Sequence, residues 1–119
     1  MARILVVEDD DDLRFLYEAL LKREGYAVTV ASGTTGALVQ LTNNDFDLIV
    51  LDMNLPDAPG IKIIEFASDD RRLRDIPMIV ISADPQWRKP CLDHGITHFL
   101  VKPVPTQHLL GLLNDILSA

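Results

Sequence analysis

Five short apolar runs, separated by segments with helical periodicity, constrain the fold of this chain more than any other feature. The runs are rich in β-branched residues and are bounded by turn-forming residues, which is typical of buried strands. They predict strands at residues 3–7, 26–30, 47–52, 78–82 and 98–101. Because strands that alternate with helices form right-handed βαβ units, we expect a parallel sheet with helices on both faces. Residues 1–119 are therefore predicted to form a single doubly wound α/β domain with strand order 2-1-3-4-5.

Helical patterns fill the gaps between the predicted strands. The first segment places a set of apolar side chains on one helical face, namely Leu13, Leu16, Tyr17, Leu20 and Leu21. Further helices are predicted at residues 34–43, from about residue 59 to residue 68, and at residues 106–117. Each carries apolar residues three or four positions apart, so each is expected to pack one face against the sheet.

The fourth helix, predicted from about residue 86 to residue 94, is expected to be short or distorted. Pro85 and Pro90 both fall between Ser82 and Gly95. A proline inside a helix removes a hydrogen-bond donor and costs about 3 kcal/mol. A helix of this length has little intrinsic stability to offset that cost.

Composition excludes several classes of protein. The net charge of −7 argues against direct nucleic-acid binding, which needs a basic surface. No apolar run approaches the roughly 20 residues that span a bilayer, and the N-terminus lacks a signal-peptide pattern, so no membrane association is expected. Cys91 is the single cysteine, which fits a reducing compartment; we expect a cytoplasmic protein.

Acidic residues follow two of the predicted strands that neighbour each other in this topology. Asp52 ends the third run, and Glu8 and Asp9 follow the first. Both sets are expected at the carboxyl edge of the sheet, where open α/β domains bind ligands. Two carboxylates about 4 Å apart repel by roughly 4 kcal/mol at an effective dielectric of 20. Either a raised pKa or a hard divalent cation such as Mg²⁺ would relieve that repulsion.

Two further polar residues are expected at the same edge. Ser82 ends the fourth strand, and Lys102 follows the fifth. A carboxylate nucleophile, a metal pocket, an ammonium and a hydroxyl together match phosphoryl transfer, in which cations neutralise the transferred oxygens. An aspartate can accept the group as an acyl phosphate.

Four segments, taken in order, carry a resemblance to a known family. They are Val6-Val7-Glu8-Asp9, Leu51-Asp52-Met53-Asn54-Leu55-Pro56, Ile81-Ser82-Ala83 and Val101-Lys102-Pro103. Their order and spacing resemble the receiver domain of two-component response regulators, the CheY-like family with its flavodoxin-like fold. The resemblance covers essentially all 119 residues.

That resemblance implies a phosphorelay role. Asp52 would accept a phosphoryl group from the phosphohistidine of a histidine kinase or phosphotransfer protein. Mg²⁺, with Mn²⁺ as a substitute, would be held by Asp9, Asp52 and the backbone carbonyl of Asn54, with Glu8 acting through water. The domain would catalyse only its own phosphorylation and dephosphorylation, as a signalling switch rather than an enzyme.

The resemblance also implies roles for residues around the acceptor. Ser82 would meet the phosphoryl oxygens, Lys102 would pair with Asp52 or its phosphate, and Phe99 would take the position of the aromatic switch. Asn54 and Asp84 stand at positions that tune the dephosphorylation rate, and the Lys102–Pro103 bond resembles one that is cis in the family. The signal would leave through helix 4, strand 5 and helix 5, toward an output that the sequence does not name. A phosphorylation-dependent homodimer stays open.

Three departures from the family pattern lie away from the phosphorylation chemistry. Pro59 stands where the family has an acidic residue before Gly60. His94-Gly95-Ile96 replaces a run of small residues, and the stretch from Ser82 to Gly95 is short with two prolines. All but Pro59 fall on the predicted output surface.

Alternative functions remain at this point. One is a receiver-like interaction module that is not phosphorylated. Another is a phosphohydrolase of the haloacid-dehalogenase type, which the sequence disfavours because Asn54 stands where that family has a second acid. A nucleotide-binding domain is disfavoured because neither a Gly-x-Gly-x-x-Gly motif nor a P-loop is present. For Phe99 a purely structural core role is the competing interpretation, and for Trp87 packing is the default.

Overall fold

A five-stranded parallel sheet in the order β2-β1-β3-β4-β5 forms the centre of the computed structural model, in which residues 1–118 are described. The strands are β1 (Arg3–Val7), β2 (Ala27–Ala31), β3 (Leu48–Leu51), β4 (Met78–Ser82) and β5 (His98–Val101). The predicted fold class and strand order are confirmed. The observed β2 begins and ends one residue later than predicted, and β3 is one residue shorter at each end, where Asp47 and Asp52 flank the apolar run.

Five helices connect and follow the strands. They are α1 (Asp11–Arg23), α2 (Thr34–Asn43), α3 (Ile61–Ser68), α4 (Arg88–Asp93) and α5 (Thr106–Leu117). The bounds of α2 and α5 match the prediction, whereas α3 begins two residues after Pro59. No helix in the described part of the chain is long and apolar enough to cross a membrane.

The fourth helix is short and irregular, as the prolines predict. A 3₁₀ turn, Pro85–Trp87, precedes the six residues of α4. The side chain of Asp84 begins this turn by accepting a hydrogen bond from the backbone N–H of Gln86 at 2.9 Å. Pro90 is the third residue of α4, where a helical N–H has no partner within the helix, so no bond of α4 itself is lost.

The alternating side chains of the central strands divide the core into two layers. Leu5, Val7, Ile49 and Leu51 pack with residues of α2, α3 and α4. Ile4, Val6, Leu48 and Val50 pack with residues of α1 and α5 on the opposite face. This is the period of two that a strand imposes, with both faces covered.

The apolar face of α1 is narrower than the sequence predicts. Tyr17 and Leu21 are buried, but Leu16 is 41% exposed. Leu16 precedes Tyr17 by one position, about 100° around the helix, so its side chain lies outside the stripe that faces the sheet.

Candidate functional site

The pairing of β1 with β3 brings two carboxylates together. Val7 and Leu51 are partners in the parallel register and end their strands. The residues that follow, Glu8 and Asp52, therefore lie side by side, and the backbone N–H of Asp52 still donates to the carbonyl of Val7 at 3.0 Å. Glu8 is 2% exposed and Asp52 is 5% exposed. Both carboxylates are thus largely withdrawn from water at the edge of the sheet.

Asp9 completes an acidic cluster with these two residues. One carboxylate oxygen from each of Glu8, Asp9 and Asp52 lies within 4.8 Å of the others. Asp9 is exposed, so the cluster opens to solvent on its side. A groove on that side is lined by Asp9, Asn54, Pro56 and Trp87 among others.

Lys102 joins the cluster from the end of β5. Its backbone N–H donates to the carbonyl of Ser82 at 2.9 Å, which continues the pairing of β5 with β4. Its ammonium Nζ donates to Glu8 Oε1 at 2.8 Å and to Asp52 Oδ2 at 3.1 Å. The Lys102–Pro103 peptide bond is cis. One cation therefore bridges the two buried carboxylates.

The electrostatics of the cluster show an excess of negative charge. Burial raises the pKa of Glu8, although its hydrogen bond with Lys102 acts in the opposite direction. Burial alone would lower the pKa of Lys102, but the hydrogen bonds with Glu8 and Asp52 outweigh it and raise the pKa. With all three carboxylates ionised, the cluster and the one ammonium would together carry a net charge of −2. A divalent cation would neutralise this charge.

The chemistry of the donors fits a hard divalent ion. The cluster offers only carboxylate oxygens, together with neighbouring backbone carbonyls, and neither thiolate nor imidazole belongs to it. Oxygen ligands of this kind suit Mg²⁺ and Mn²⁺ rather than zinc.

Asn54 lies directly beside Asp52. Its backbone N–H donates to Asp52 Oδ1 at 3.1 Å, and its side-chain Oδ1 accepts from the indole Nε1–H of Trp87 at 3.2 Å. The loop after Asn54 folds back tightly, because the N–H of Gly60 donates to the carbonyl of Met53 at 2.8 Å. A Cβ at position 60 would lie 2.6 Å from the carbonyl oxygen of Asp52, so only glycine fits there.

Ser82 and Asp84 form a short turn at the end of β4. Ser82 is fully buried, and its Oγ accepts a hydrogen bond from the backbone N–H of Asp84 at 3.1 Å. The carboxylate of Asp84 is engaged in capping the 3₁₀ turn through Gln86. Ser82 therefore occupies the same edge of the sheet as the cluster, whereas the carboxylate of Asp84 is directed to its own loop.

Phe99 lies in the apolar core and not at the carboxyl edge of the sheet, where the acidic cluster lies. It is 7% exposed, pairs with Val80 in the sheet and belongs to the apolar layer under α4. The guanidinium of Arg88 lies over its ring, 4.9 Å from the ring centre. This contact links the first residue of α4 to β5.

Asp57 is a structural partner of the site that sequence reasoning missed. Its two carboxylate oxygens accept from the backbone N–H groups of Thr34 and Thr35, each at 2.8 Å. The hydroxyl of Thr34 donates in turn to the carbonyl of Ala58 at 2.8 Å. The bonds from Thr35 and Thr34 to the carboxylate hold the pKa of Asp57 well below its ordinary value. The only signal in the sequence is that Gly33, which precedes α2, has no side chain with which to cap it.

The geometry has counterparts among known proteins. Residues 4–114 match the family model described as the response regulator receiver domain. The transcriptional regulatory protein KdpE of Staphylococcus aureus is 36% identical over 110 residues, which cover 91% of this chain and 46% of KdpE. The chain thus spans less than half the length of that relative.

Two solved structures show the same fold. The response regulator TrrA of Thermotoga maritima, in complex with Mg²⁺ and BeF, has a TM-score of 0.86 at 25% identity, with 98% of this chain and 99% of that chain covered. The chemotaxis response regulator CheY4 of Vibrio cholerae has a TM-score of 0.90 at 26% identity, with 98% of each chain covered. Since the family model spans nearly the whole sequence and the strand order agrees, the chain belongs to the response regulator receiver domain family.

Proposed function

We propose that this domain is a phosphorylation-dependent switch in which Asp52 accepts a phosphoryl group from a phosphohistidine. One observation carries the proposal above the others. The ammonium of Lys102 contacts Asp52 Oδ2 at 3.1 Å, while Asp52 also belongs to a cluster of three carboxylates. The acceptor therefore has a fixed cation on one side and a place for a divalent ion on the other.

The chemistry is an in-line displacement at phosphorus. A carboxylate oxygen of Asp52 forms the new P–O bond, the P–N bond of the donor breaks, and the imidazole leaves with a proton from solvent. Lys102 neutralises charge on the transferred oxygens through a charge-assisted hydrogen bond. Hydrolysis reverses the modification, because water attacks phosphorus, the P–O bond to Asp52 breaks and inorganic phosphate departs.

Mg²⁺ is the proposed cofactor, and Mn²⁺ is its substitute. The carboxylates of Asp9 and Asp52 and the backbone carbonyl of Asn54 would be its protein ligands, with Glu8 acting through water. A bound Mg²⁺ supplies charge neutralisation at the phosphoryl oxygens. The ring of hard oxygen donors around Asp52 supports this assignment.

The proposed switch begins at Ser82. Its Oγ accepts from the N–H of Asp84, and a phosphoryl group on Asp52 would offer its O–H a charged acceptor. Movement of the Ser82 turn would reach Phe99 and the stacked Arg88, and so the surface of α4, β5 and α5. To shift the populations of the two switch states from 1:99 to 99:1, phosphorylation must favour one state over the other by about 5.5 kcal/mol.

The proposed partners follow from this role. A cytoplasmic histidine kinase or phosphotransfer protein supplies the phosphoryl group, and a separate protein or domain receives the signal. Direct nucleic-acid binding is not proposed, because the net charge is −7. A homodimer that forms on phosphorylation would use the same α4–β5–α5 surface. Asn54 and Asp84 are proposed to tune the lifetime of the phosphoryl group.

Titration with beryllofluoride, a mimic of the phosphoryl group, tests the pocket. We expect saturable, Mg²⁺-dependent shifts in the ¹H–¹⁵N spectrum around Asp52, Ser82 and Lys102. Asp52→Ala is the control and should show none. Equal shifts in the two proteins would contradict the proposal, and silence in both would favour an interaction module that is not phosphorylated.

A further inference from the structure

Trp87 connects the two loops that flank the acidic cluster. It ends the 3₁₀ turn after β4, whereas Asn54 lies in the loop after β3, 33 positions earlier. The indole Nε1–H donates to Asn54 Oδ1 at 3.2 Å, and the partly buried ring packs against the core layer under α4. Trp87 and Asn54 both line the groove beside Asp9. The packed indole thus gives Asn54 a hydrogen-bond partner at the mouth of the site.

The chemistry of the indole fixes the orientation of the Asn54 amide. An indole N–H can only donate, so the partner atom on Asn54 must be the carbonyl oxygen. The amide NH₂ group then points away from Trp87. Asp84, the other residue proposed to tune dephosphorylation, directs its Oδ1 to the backbone N–H of Gln86. Trp87 is therefore the side chain that donates to the acceptor end of this amide.

We propose that Trp87 is a positioning residue that prolongs the life of the phosphoryl group on Asp52 by holding the side-chain oxygen of Asn54. This inference rests on the proposed function. Water that attacks phosphorus gives up a proton as the P–O bond to Asp52 breaks. A free amide oxygen beside Asp52 would orient that water by accepting a hydrogen bond from it. The bond from Trp87 engages one of the two lone pairs of this oxygen and fixes the direction of the other, so the oxygen is less available to the water.

Substitution of Trp87 by Phe isolates the hydrogen bond, because it retains an aromatic ring and removes the N–H. Each protein is phosphorylated with acetyl phosphate and Mg²⁺, the donor is removed, and loss of the phosphoryl group is followed. We expect Trp87→Phe to lose it roughly threefold to tenfold faster than wild type, the range that one neutral hydrogen bond supports. In an Asn54→Ala background the same substitution should change nothing, since its effect passes through that amide.

A second measurement reads the contact without phosphorylation. Trp87 is the single tryptophan of the sequence, so its indole N–H gives one assignable resonance. In Asn54→Ala we expect this resonance to move upfield and to exchange with solvent faster. An unchanged resonance would overturn the inference even if Trp87→Phe did not fold.

The kinetic outcomes separate this inference from the proposed function. Equal hydrolysis rates in phosphorylated wild type and Trp87→Phe would overturn the inference alone. The same acceleration with and without Asn54 would also overturn it, because the effect would then come from general loosening. A wild-type protein that takes up no phosphoryl group would overturn the proposed function and this inference with it.

Discussion

Lys102 Nζ lies 3.1 Å from Asp52 Oδ2, although 50 positions separate the two residues in the chain. The same ammonium contacts Glu8 at 2.8 Å, so the charge of one lysine is shared between two buried carboxylates. This arrangement connects the carboxyl ends of β1, β3 and β5 at one edge of the sheet. Removal of either the ammonium or one of the carboxylates would therefore leave unbalanced charge at the site.

Lys102→Met should destabilise the domain in the absence of divalent ions. The substitution leaves Glu8 and Asp52 without their cation, and breaking a buried ion pair costs roughly 3–5 kcal/mol. Because the Lys102 side chain is 20% exposed, we expect a smaller loss, about 2 kcal/mol. Chemical denaturation with and without Mg²⁺ measures this. Mg²⁺ should restore more stability to the variant than to wild type, and an equal Mg²⁺ response would contradict the account.

Gly60→Ala and Gly111→Ala should change stability in opposite directions. A Cβ at position 60 would meet the backbone of Asp52 at 2.6 Å, an overpacked contact that costs roughly 1–3 kcal/mol. Gly111 lies inside α5 with nothing within 4 Å of an added Cβ, so alanine there should stabilise the helix by about 0.5–1 kcal/mol. Denaturant unfolding of the two variants checks both signs. Equal effects at the two positions would show that the loop after β3 is not packed as described.

Asp57→Ala should lower the midpoint of thermal unfolding at neutral pH. The substitution removes both acceptors that cap α2 through Thr34 and Thr35. The folded pKa of Asp57 is depressed, so its stabilisation is present above the ordinary value of 3.8 and is lost as the pH falls below it. The difference between wild type and variant should therefore shrink in acid.

The exposed carboxylate Asp75 provides a matched control for that experiment. Asp75→Ala should leave the midpoint nearly unchanged at neutral pH, since exposed side chains contribute little. A difference between wild type and Asp57→Ala that persists unchanged into acid would argue against the capping role.

The thiol of Cys91 should be inert in the folded protein. Cys91 is fully buried, and burial raises its pKa to about 11. A disulfide-exchange reagent should react with it at neutral pH only as the protein unfolds. The rate should rise with denaturant along the unfolding curve, and rapid reaction under native conditions would contradict the packing of α4 described above.

The sequence contained most of the fold because apolar periodicity reflects burial. Strand order was predictable, since βαβ connections allow few topologies, and the order places β1 beside β3. The adjacency of Glu8 and Asp52 then follows from where the two strands end. The exposure of Leu16 was not predictable, because periodicity alone does not set the width of a buried helical face.

Long-range hydrogen bonds account for the rest of what the sequence did not reveal. Asp57 caps a helix that begins 23 positions earlier, and Trp87 reaches Asn54 across 33 positions. Such contacts depend on how two loops approach each other above the sheet. No local pattern in either loop specifies its partner.

Chemical trapping of the phosphorylated residue tests the central claim most directly. The protein is incubated with acetyl phosphate and Mg²⁺ and then reduced with borohydride, which converts an aspartyl phosphate to homoserine. Peptide mass spectrometry locates the change. We predict homoserine at position 52, dependence on Mg²⁺ and no product in Asp52→Ala. Homoserine at Asp9 or at another carboxylate, or no homoserine in wild type, would contradict the assignment of Asp52 as the acceptor.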